Sequence, residues 1–166
     1  MTQMRFSLML LSLGFLSVPL HGQALWPGTS AGMSLEDVQR MFPSTRVPDE
    51  PMGLPRGRGI ELLQIRGYGV AGRAFDVHFF FKDKSLVQVS LTDTGEIAAK
   101  DFESVRNALR KRYNLEYSTT NTGEHVIVVW KIAQSVITLS WTPQGREIAT
   151  LAISYEGPVL KDNERL

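Results

Sequence analysis

The sequence predicts an α+β domain in which two helices pack on one face of an antiparallel sheet, in the order α-βββ-α-ββββ. Two observations support this fold class. In two segments apolar residues recur at spacings of three and four, which is the period of an amphipathic helix. Seven other segments are short, rich in β-branched and aromatic residues, and mostly joined by short turns. Because short turns join antiparallel neighbours, we expect two meanders.

The first helix is predicted to begin at Ser34, because Asp37 three residues later completes a capping-box arrangement. Pro43 ends this helix, since proline cannot continue it. The second helix is predicted over residues 98–113, with Asn114 as its stop. The apolar stripes of the two helices consist of Leu35, Val38, Met41 and Phe42, and of Phe102, Val105, Leu109 and Tyr113.

The strands are predicted from period-two alternation, in which every second side chain faces the core. The clearest run extends from Phe75 to Phe81, and in the next strand Val87, Val89 and Leu91 are predicted to share one face. The predicted strands cover residues 60–66, 75–81, 86–91, 116–119, 125–131, 136–141 and 148–155.

Residues 44–59 are predicted to form a long irregular loop, because they contain three prolines and three glycines. Loops of this length are commonly functional. Apolar side chains exposed on a loop indicate a partner, so Met52 and Leu54 are candidate contact residues.

Four arginines form a second candidate contact set, suited to an acidic partner or to lipid headgroups. The alternative is that those late in the second helix simply complement its macrodipole. The four are Arg56 and Arg58 in the loop, and Arg106 and Arg110 in the helix.

Residues 1–24 have the layout of a secretory signal peptide: Arg5, an apolar run over residues 6–20, and small residues at Gly22 and Ala24. We expect cleavage after Ala24, which leaves residues 25–166 as one domain in the bacterial periplasm or outside the cell. A membrane span needs about 20 apolar residues, and this run is shorter and contains Pro19. We therefore expect no stable membrane anchor after cleavage.

The charge balance argues against nucleic acid as a partner. The chain has 18 Lys and Arg residues, and loss of Arg5 with the signal peptide leaves 17, equal to the 17 Asp and Glu residues. Nucleic-acid binding needs a basic excess. The chain has no cysteine, so it folds without disulfides and has no thiol for lipidation.

Two short motifs match known sites without their structural context. Gly67-Tyr68-Gly69-Val70-Ala71-Gly72 spells G-x-G-x-x-G, but a strand rather than a helix is predicted to follow, so we interpret it as a connection between strands. Asp93-Thr94-Gly95 matches the core of the aspartic-protease motif, but a helix follows, so we interpret it as a strand-to-helix turn. No cofactor is expected.

Two histidines remain after signal cleavage, His78 and His125. Neither has a histidine or cysteine at metal-ligand spacing, so no metal site is expected. No nucleophile-elbow pattern is present, and we expect a protein without enzymatic activity. A small hydrolase or ligand-binding protein that uses a pocket near His78 is an alternative, and it requires a concave site there.

The segment from Trp26 to Pro43, with Gly32-Met33-Ser34 at the helix start, resembles the opening of small bacterial envelope domains of the BamE/SmpA-like and β-lactamase-inhibitor-protein-like group. BamE-like proteins are typically lipoproteins with two adjacent helices, whereas this chain lacks the lipidation cysteine and separates its predicted helices by three strands. The resemblance implies a protein-binding envelope domain outside the outer-membrane assembly machine.

The sequence therefore predicts an exported, non-enzymatic domain that binds another envelope protein. An inhibitor or immunity protein against an envelope-active enzyme is a more specific version of the same hypothesis.

Overall fold

The computed structural model describes residues 24–144 and 148–158 of the 166-residue chain. The predicted signal peptide lies outside the described residues except for Ala24, and so do residues 145–147, between the last two predicted strands. The elements are α1 (Leu35–Met41), a 3-10 turn (Pro55–Gly57), β1 (Ile60–Val70), β2 (Arg73–Lys82), β3 (Ser85–Gly95), α2 (Ala99–Tyr113), β4 (Ser118–Asn121), β5 (Val126–Ile132), β6 (Ser135–Pro143) and β7 (Ala149–Glu156).

The predicted α+β class and the order α-βββ-α-ββββ are confirmed. All seven strands form one antiparallel sheet in the order β1-β2-β3-β7-β6-β5-β4. The two meanders meet where β3 pairs with β7 in the middle of the sheet, and α2 carries the chain from there to β4 at the far edge. β1, at the other edge, is the strand that the loop before it can reach.

The core lies between the two helices and one face of the sheet. Val38 of α1 and Val105 of α2 are fully buried in the same cluster as Phe79 and Trp130 of the sheet. Each such side chain contributes about 1.5–3 kcal/mol of burial free energy. The opposite sheet face carries mainly polar side chains in its central strands, as expected for an antiparallel sheet covered on one side.

Both helices are capped at their N-termini, the first at Ser34 as predicted and the second by Asp101, for which no cap is predicted from the sequence. The Ser34 hydroxyl accepts a hydrogen bond from the Asp37 backbone N–H at 3.1 Å, and the Asp101 carboxylate accepts one from the Ala98 N–H at 2.9 Å. Met41 was predicted in the apolar stripe, and this is wrong, because α1 ends at Met41 and this side chain is 51% exposed. Phe42 packs instead against Trp26, with ring centroids 5.1 Å apart.

The prediction for Val87 is also wrong. At a bulge, Phe80 pairs with Gln88 and Phe81 with Leu86, so Val87 has no partner residue in β2. Leu86, rather than Val87, therefore faces the core together with Val89 and Leu91.

The glycine-rich motif lies partly within β1, and Asp93-Thr94-Gly95 lies wholly within β3, so the interpretation of the second motif as a strand-to-helix turn is wrong. β1 continues through Gly67, which has a φ of 70° where the pairing with β2 shifts, so the turn itself is only Ala71 and Gly72. β3 continues through Asp93 to Gly95, because these residues pair with β7. No helix follows the glycine-rich segment, in agreement with its interpretation as a connection between strands.

The strand ends also differ from the predicted bounds, mostly by extension: β1 and β3 each run four residues past their predicted ends. In the described residues, none of the helices combines the length and apolar content that a membrane span requires.

Candidate functional site

The loop over residues 44–59 is ordered along the outer edge of β1. Arg46 and Gln64 exchange two backbone hydrogen bonds of 2.9 and 2.8 Å, and the Glu61 N–H donates to the Met52 carbonyl at 2.8 Å. The Leu54 N–H donates to the Gly59 carbonyl, also at 2.8 Å. The segment from Arg46 to Leu54 thus covers the unpaired edge of the sheet, which would otherwise invite pairing with another chain.

A bulge in β1 determines which side chains lie beneath this loop. Pairing shifts between Glu61 and Leu63, so Leu62 is an extra residue and is partly exposed. Leu63 faces the core, whereas Glu61 and Gln64 both lie on the polar face, although they are three positions apart. Strict alternation would have placed one of them in the core.

Glu61, His78 and Thr92 form a hydrogen-bonded chain on the polar face. The Glu61 Oε1 lies 2.7 Å from His78 Nδ1, and His78 Nε2 lies 2.8 Å from the Thr92 hydroxyl oxygen. The other carboxylate oxygen, Oε2, accepts a hydrogen bond from the Met52 backbone N–H at 3.2 Å. Glu61 is 1% exposed and His78 is 8% exposed, so the loop is linked to the sheet through a buried polar network.

A cavity of about 400 Å³ lies between the loop and this network. Asp49, Glu50 and Glu61 contribute carboxylates to it, and Arg66 is the cation among its lining residues. Arg66 Nη2 lies 3.7 Å from the Asp49 carboxylate, and both of these side chains are more than half exposed. The cavity is lined by Pro48, Asp49, Glu50, Met52, Glu61, Gln64, Arg66 and His78.

Gln64 is one of two polar residues of the cavity, with Glu50, whose side chains have no hydrogen bond or ion pair among the described residues. The residue is 6% exposed and lines the cavity. Its backbone groups bond to Arg46, but in the described part of the chain no hydrogen bond reaches its side-chain amide. Its amide atoms are not among the fully buried polar atoms without a partner, so they are accessible from the cavity and available to a molecule there.

Four large apolar side chains remain exposed in the loop and in β1, and of these Met52 also lines the cavity. Val47 is 69% exposed, Met52 44%, Ile60 56% and Leu62 36%. Val47 and Met52 lie in the loop, and Ile60 and Leu62 lie in β1 directly beside it. We call these four residues, together with the cavity, the loop–β1 surface.

Of the residues predicted as partner contacts in the loop, Met52 belongs to this surface, and the others lie elsewhere along the loop. Met52 lines the cavity, and Leu54 is partly buried, with its Cδ1 3.4 Å from the position that a Cβ of Gly59 would take. Arg56 is exposed in the 3-10 turn, and Arg58 is paired with Glu156 of β7 at 3.1 Å.

The two predicted helix arginines are engaged within the protein. The Arg106 Nε donates to Glu116 at 2.8 Å, and the Arg110 Nε donates to the same carboxylate oxygen. Burial of the Glu116 carboxyl would raise its pKa, but hydrogen bonds from Arg110 and Arg106 outweigh this and lower the pKa to about 2. Both arginines therefore join the end of α2 to the segment before β4.

Sequence reasoning named His78 as the centre of an alternative site, and the concave site which that alternative requires is present there. It missed Glu61 and Gln64, because the β1 bulge has no distinctive residue to mark it. His125 is exposed, and its Nδ1 lies 3.3 Å from the Thr142 hydroxyl oxygen. Among the described residues no cluster of three or more His, Cys, Asp or Glu side chains could hold a metal ion.

No protein-family model, no curated protein sequence and no solved structure matches this chain.

Proposed function

We propose that this protein is an exported binding domain that holds another envelope protein through the loop–β1 surface. One observation carries the proposal. Val47, Met52, Ile60 and Leu62 are exposed in two adjacent segments that backbone hydrogen bonds hold together.

Several exposed apolar side chains close together on two paired segments are typical of a protein-binding surface. Methionine adapts its shape to a partner at little energetic cost, which suits Met52 to such a contact. Because the loop is already ordered along β1, binding would require little additional loss of backbone entropy.

The proposal is tested with two matched double variants. Met52→Ser/Ile60→Ser removes apolar area from the loop–β1 surface, and Met41→Ser/Ile148→Ser removes side chains of similar exposure elsewhere. The affinity for the protein that co-purifies with the chain is measured for each variant by calorimetry. We expect the first pair to weaken binding at least about tenfold, equivalent to about 1.4 kcal/mol, and the control pair to leave it unchanged.

Equal affinity of both double variants and the unaltered protein would place the partner elsewhere on the surface. The identity of the partner separates the two forms of the hypothesis. An enzyme that loses activity in the complex supports an inhibitor or immunity role, whereas a wall or assembly component supports an accessory role.

A second candidate function, a small hydrolase, is favoured by the chain from the Glu61 carboxylate through His78 to the Thr92 hydroxyl. In nucleophilic catalysis an imidazole oriented by a carboxylate accepts the proton of the attacking hydroxyl. This function ranks second, because Thr92 is not among the residues that line the cavity.

The hydrolase is tested with a panel of chromogenic esters. Catalysis by this network predicts that Thr92→Val and His78→Gln each abolish turnover, while Ser90→Ala on the same strand retains it. Turnover that is absent, or equal in all four proteins, contradicts the hydrolase.

A further inference from the structure

We propose that the cavity beneath the loop binds an organic cation, namely an alkylammonium or guanidinium group. The proposal goes beyond the binding of a protein, because the same group occurs on small amines and on lysine and arginine side chains. It rests on the charge of the cavity, on the Gln64 amide that has no partner within the described residues, and on the size of the recess.

The charge of the lining residues favours a cation. Three residues with carboxylates, Asp49, Glu50 and Glu61, line the cavity together with one residue that carries a guanidinium, Arg66. Arg66 is already within 3.7 Å of Asp49, and Glu61 is held by His78 and by the Met52 N–H. Glu50 has no ion pair or hydrogen bond among the described residues, so its charge is uncompensated there. An anion would meet net repulsion in this recess.

The Gln64 amide supplies a second indication. Gln64 as a residue is more than nine-tenths buried, lines the cavity and makes no side-chain hydrogen bond in the residues described, and its amide atoms remain accessible from the cavity. Its amide oxygen accepts hydrogen bonds, as does the Glu50 carboxylate. A ligand that satisfies both must donate through N–H groups, which is what ammonium and guanidinium groups do.

The size of the cavity limits the ligand. A volume of about 400 Å³ lies at the lower end of small-molecule sites, which begin at about 300 Å³. This volume suits one amine or one long basic side chain. A metal ion is not the occupant that the lining residues indicate, since the described chain has no set of three suitable ligands.

The test is an NMR titration of the ¹⁵N-labelled protein with four probes of similar size. N-acetyl-lysine methylamide and N-acetyl-arginine methylamide carry the cation, N-acetyl-norleucine methylamide is neutral, and N-acetyl-glutamate methylamide is an anion. We expect the two cationic probes to saturate with dissociation constants on the order of 1 mM, with shifts centred on the amides of Glu50 and Gln64. The other two probes should not saturate.

Three variants test whether each side chain favours or opposes binding of the cationic probes, and a fourth serves as the control. Glu50→Gln should weaken binding of the cationic probes about twofold to fivefold, and Gln64→Met about threefold to tenfold. Arg66→Ala should strengthen binding about twofold, because it removes the competing cation from Asp49. Glu36→Gln, an exposed change on α1, should leave affinity unchanged. Glu50 and Arg66 are exposed, so these two variants keep the test valid if Gln64→Met does not fold.

Equal binding of the neutral and cationic probes, saturation by the anionic probe alone, or no saturation below about 50 mM would each overturn the proposal. Butane-1,4-diamine distinguishes the sources of the group. Tighter binding of the diamine than of the lysine amide indicates a free amine, and equal binding indicates that a side chain of another protein suffices. Since no partner protein takes part, failure of this titration leaves the proposed protein-binding function unaffected.

Discussion

At the scale of single residues, Glu61 connects the loop to the sheet. One of its carboxylate oxygens lies 2.7 Å from His78 Nδ1, and the other accepts the Met52 N–H at 3.2 Å. A buried carboxylate is costly unless it is fully hydrogen-bonded, so the stability of this network depends on all of its members. The floor of the cavity is consequently fixed before any ligand arrives.

Glu61→Leu should lower the free energy of unfolding by about 2–4 kcal/mol, because it leaves His78 and the Met52 N–H without their acceptor. In the double variant Glu61→Leu/His78→Leu both polar partners are gone. The double loss should therefore be smaller than the sum of the single losses by about 1–2 kcal/mol. This coupling is measured by urea unfolding of four proteins: the unaltered protein, Glu61→Leu, His78→Leu and the double variant. Strictly additive losses would show that Glu61 and His78 do not act as a unit.

At the scale of elements, α2 is joined to the start of the second meander by side chains rather than by a tight turn. Arg106 and Arg110 hold Glu116, and the Trp130 Nε1–H donates to the Asn114 carbonyl at 3.1 Å. These contacts fix where the chain leaves the helix. The helix arginines thus have an internal role in addition to their complementarity to the helix dipole.

We expect the contacts of Glu116 at this junction to make the free energy of unfolding depend on pH. The pKa of Glu116 is lowered from its ordinary 4.5 to about 2 in the folded protein, so the unfolded chain binds this proton more readily. Its stabilising contribution is therefore fully present above about pH 4.5 and is lost as the pH falls towards 2.

The pH dependence of the unaltered protein is compared with that of Glu116→Gln, whose side chain cannot ionise. The difference in unfolding free energy between the two proteins should be constant from pH 7 to about pH 5 and should shrink between about pH 4.5 and pH 2. Glu36→Gln serves as the control, since its exposed carboxylate has no comparable partners. A difference that stays constant down to pH 2 would contradict the lowered pKa.

At the scale of the whole molecule, the two meanders are arranged symmetrically about the β3–β7 pair, with β4 added at one edge. Both helices cover one face, so any large ligand must approach the polar face or an edge. The loop pairs with β1, so the backbone of this edge strand is no longer free to pair with another chain. Apolar side chains remain exposed there, and a recess lies between the loop and β1. β4, at the opposite edge, is four residues long, and all four residues are exposed.

Much of this architecture follows from the sequence. Helix and strand periodicity predicts the element order, because one face of each element must be buried, and Ser34 marks the first helix correctly. The site is less predictable. His78 and Met52 could be singled out, but the β1 bulge reverses the face of Glu61, and the β2–β3 bulge does the same for Val87. Bulges depend on pairing between distant segments, which local patterns do not contain.

The central claim is that the loop–β1 surface is where this protein meets its partner. Its most direct test is site-specific photo-crosslinking in intact cells, with the crosslinking residue placed at Met52, Met41 or Ile148 in turn. The three positions are similarly exposed, at 44%, 51% and 49%. We predict a single major adduct with another protein from position 52 and none from positions 41 and 148. Adducts of equal yield at all three positions, or adducts only at position 41 or 148, would contradict the account.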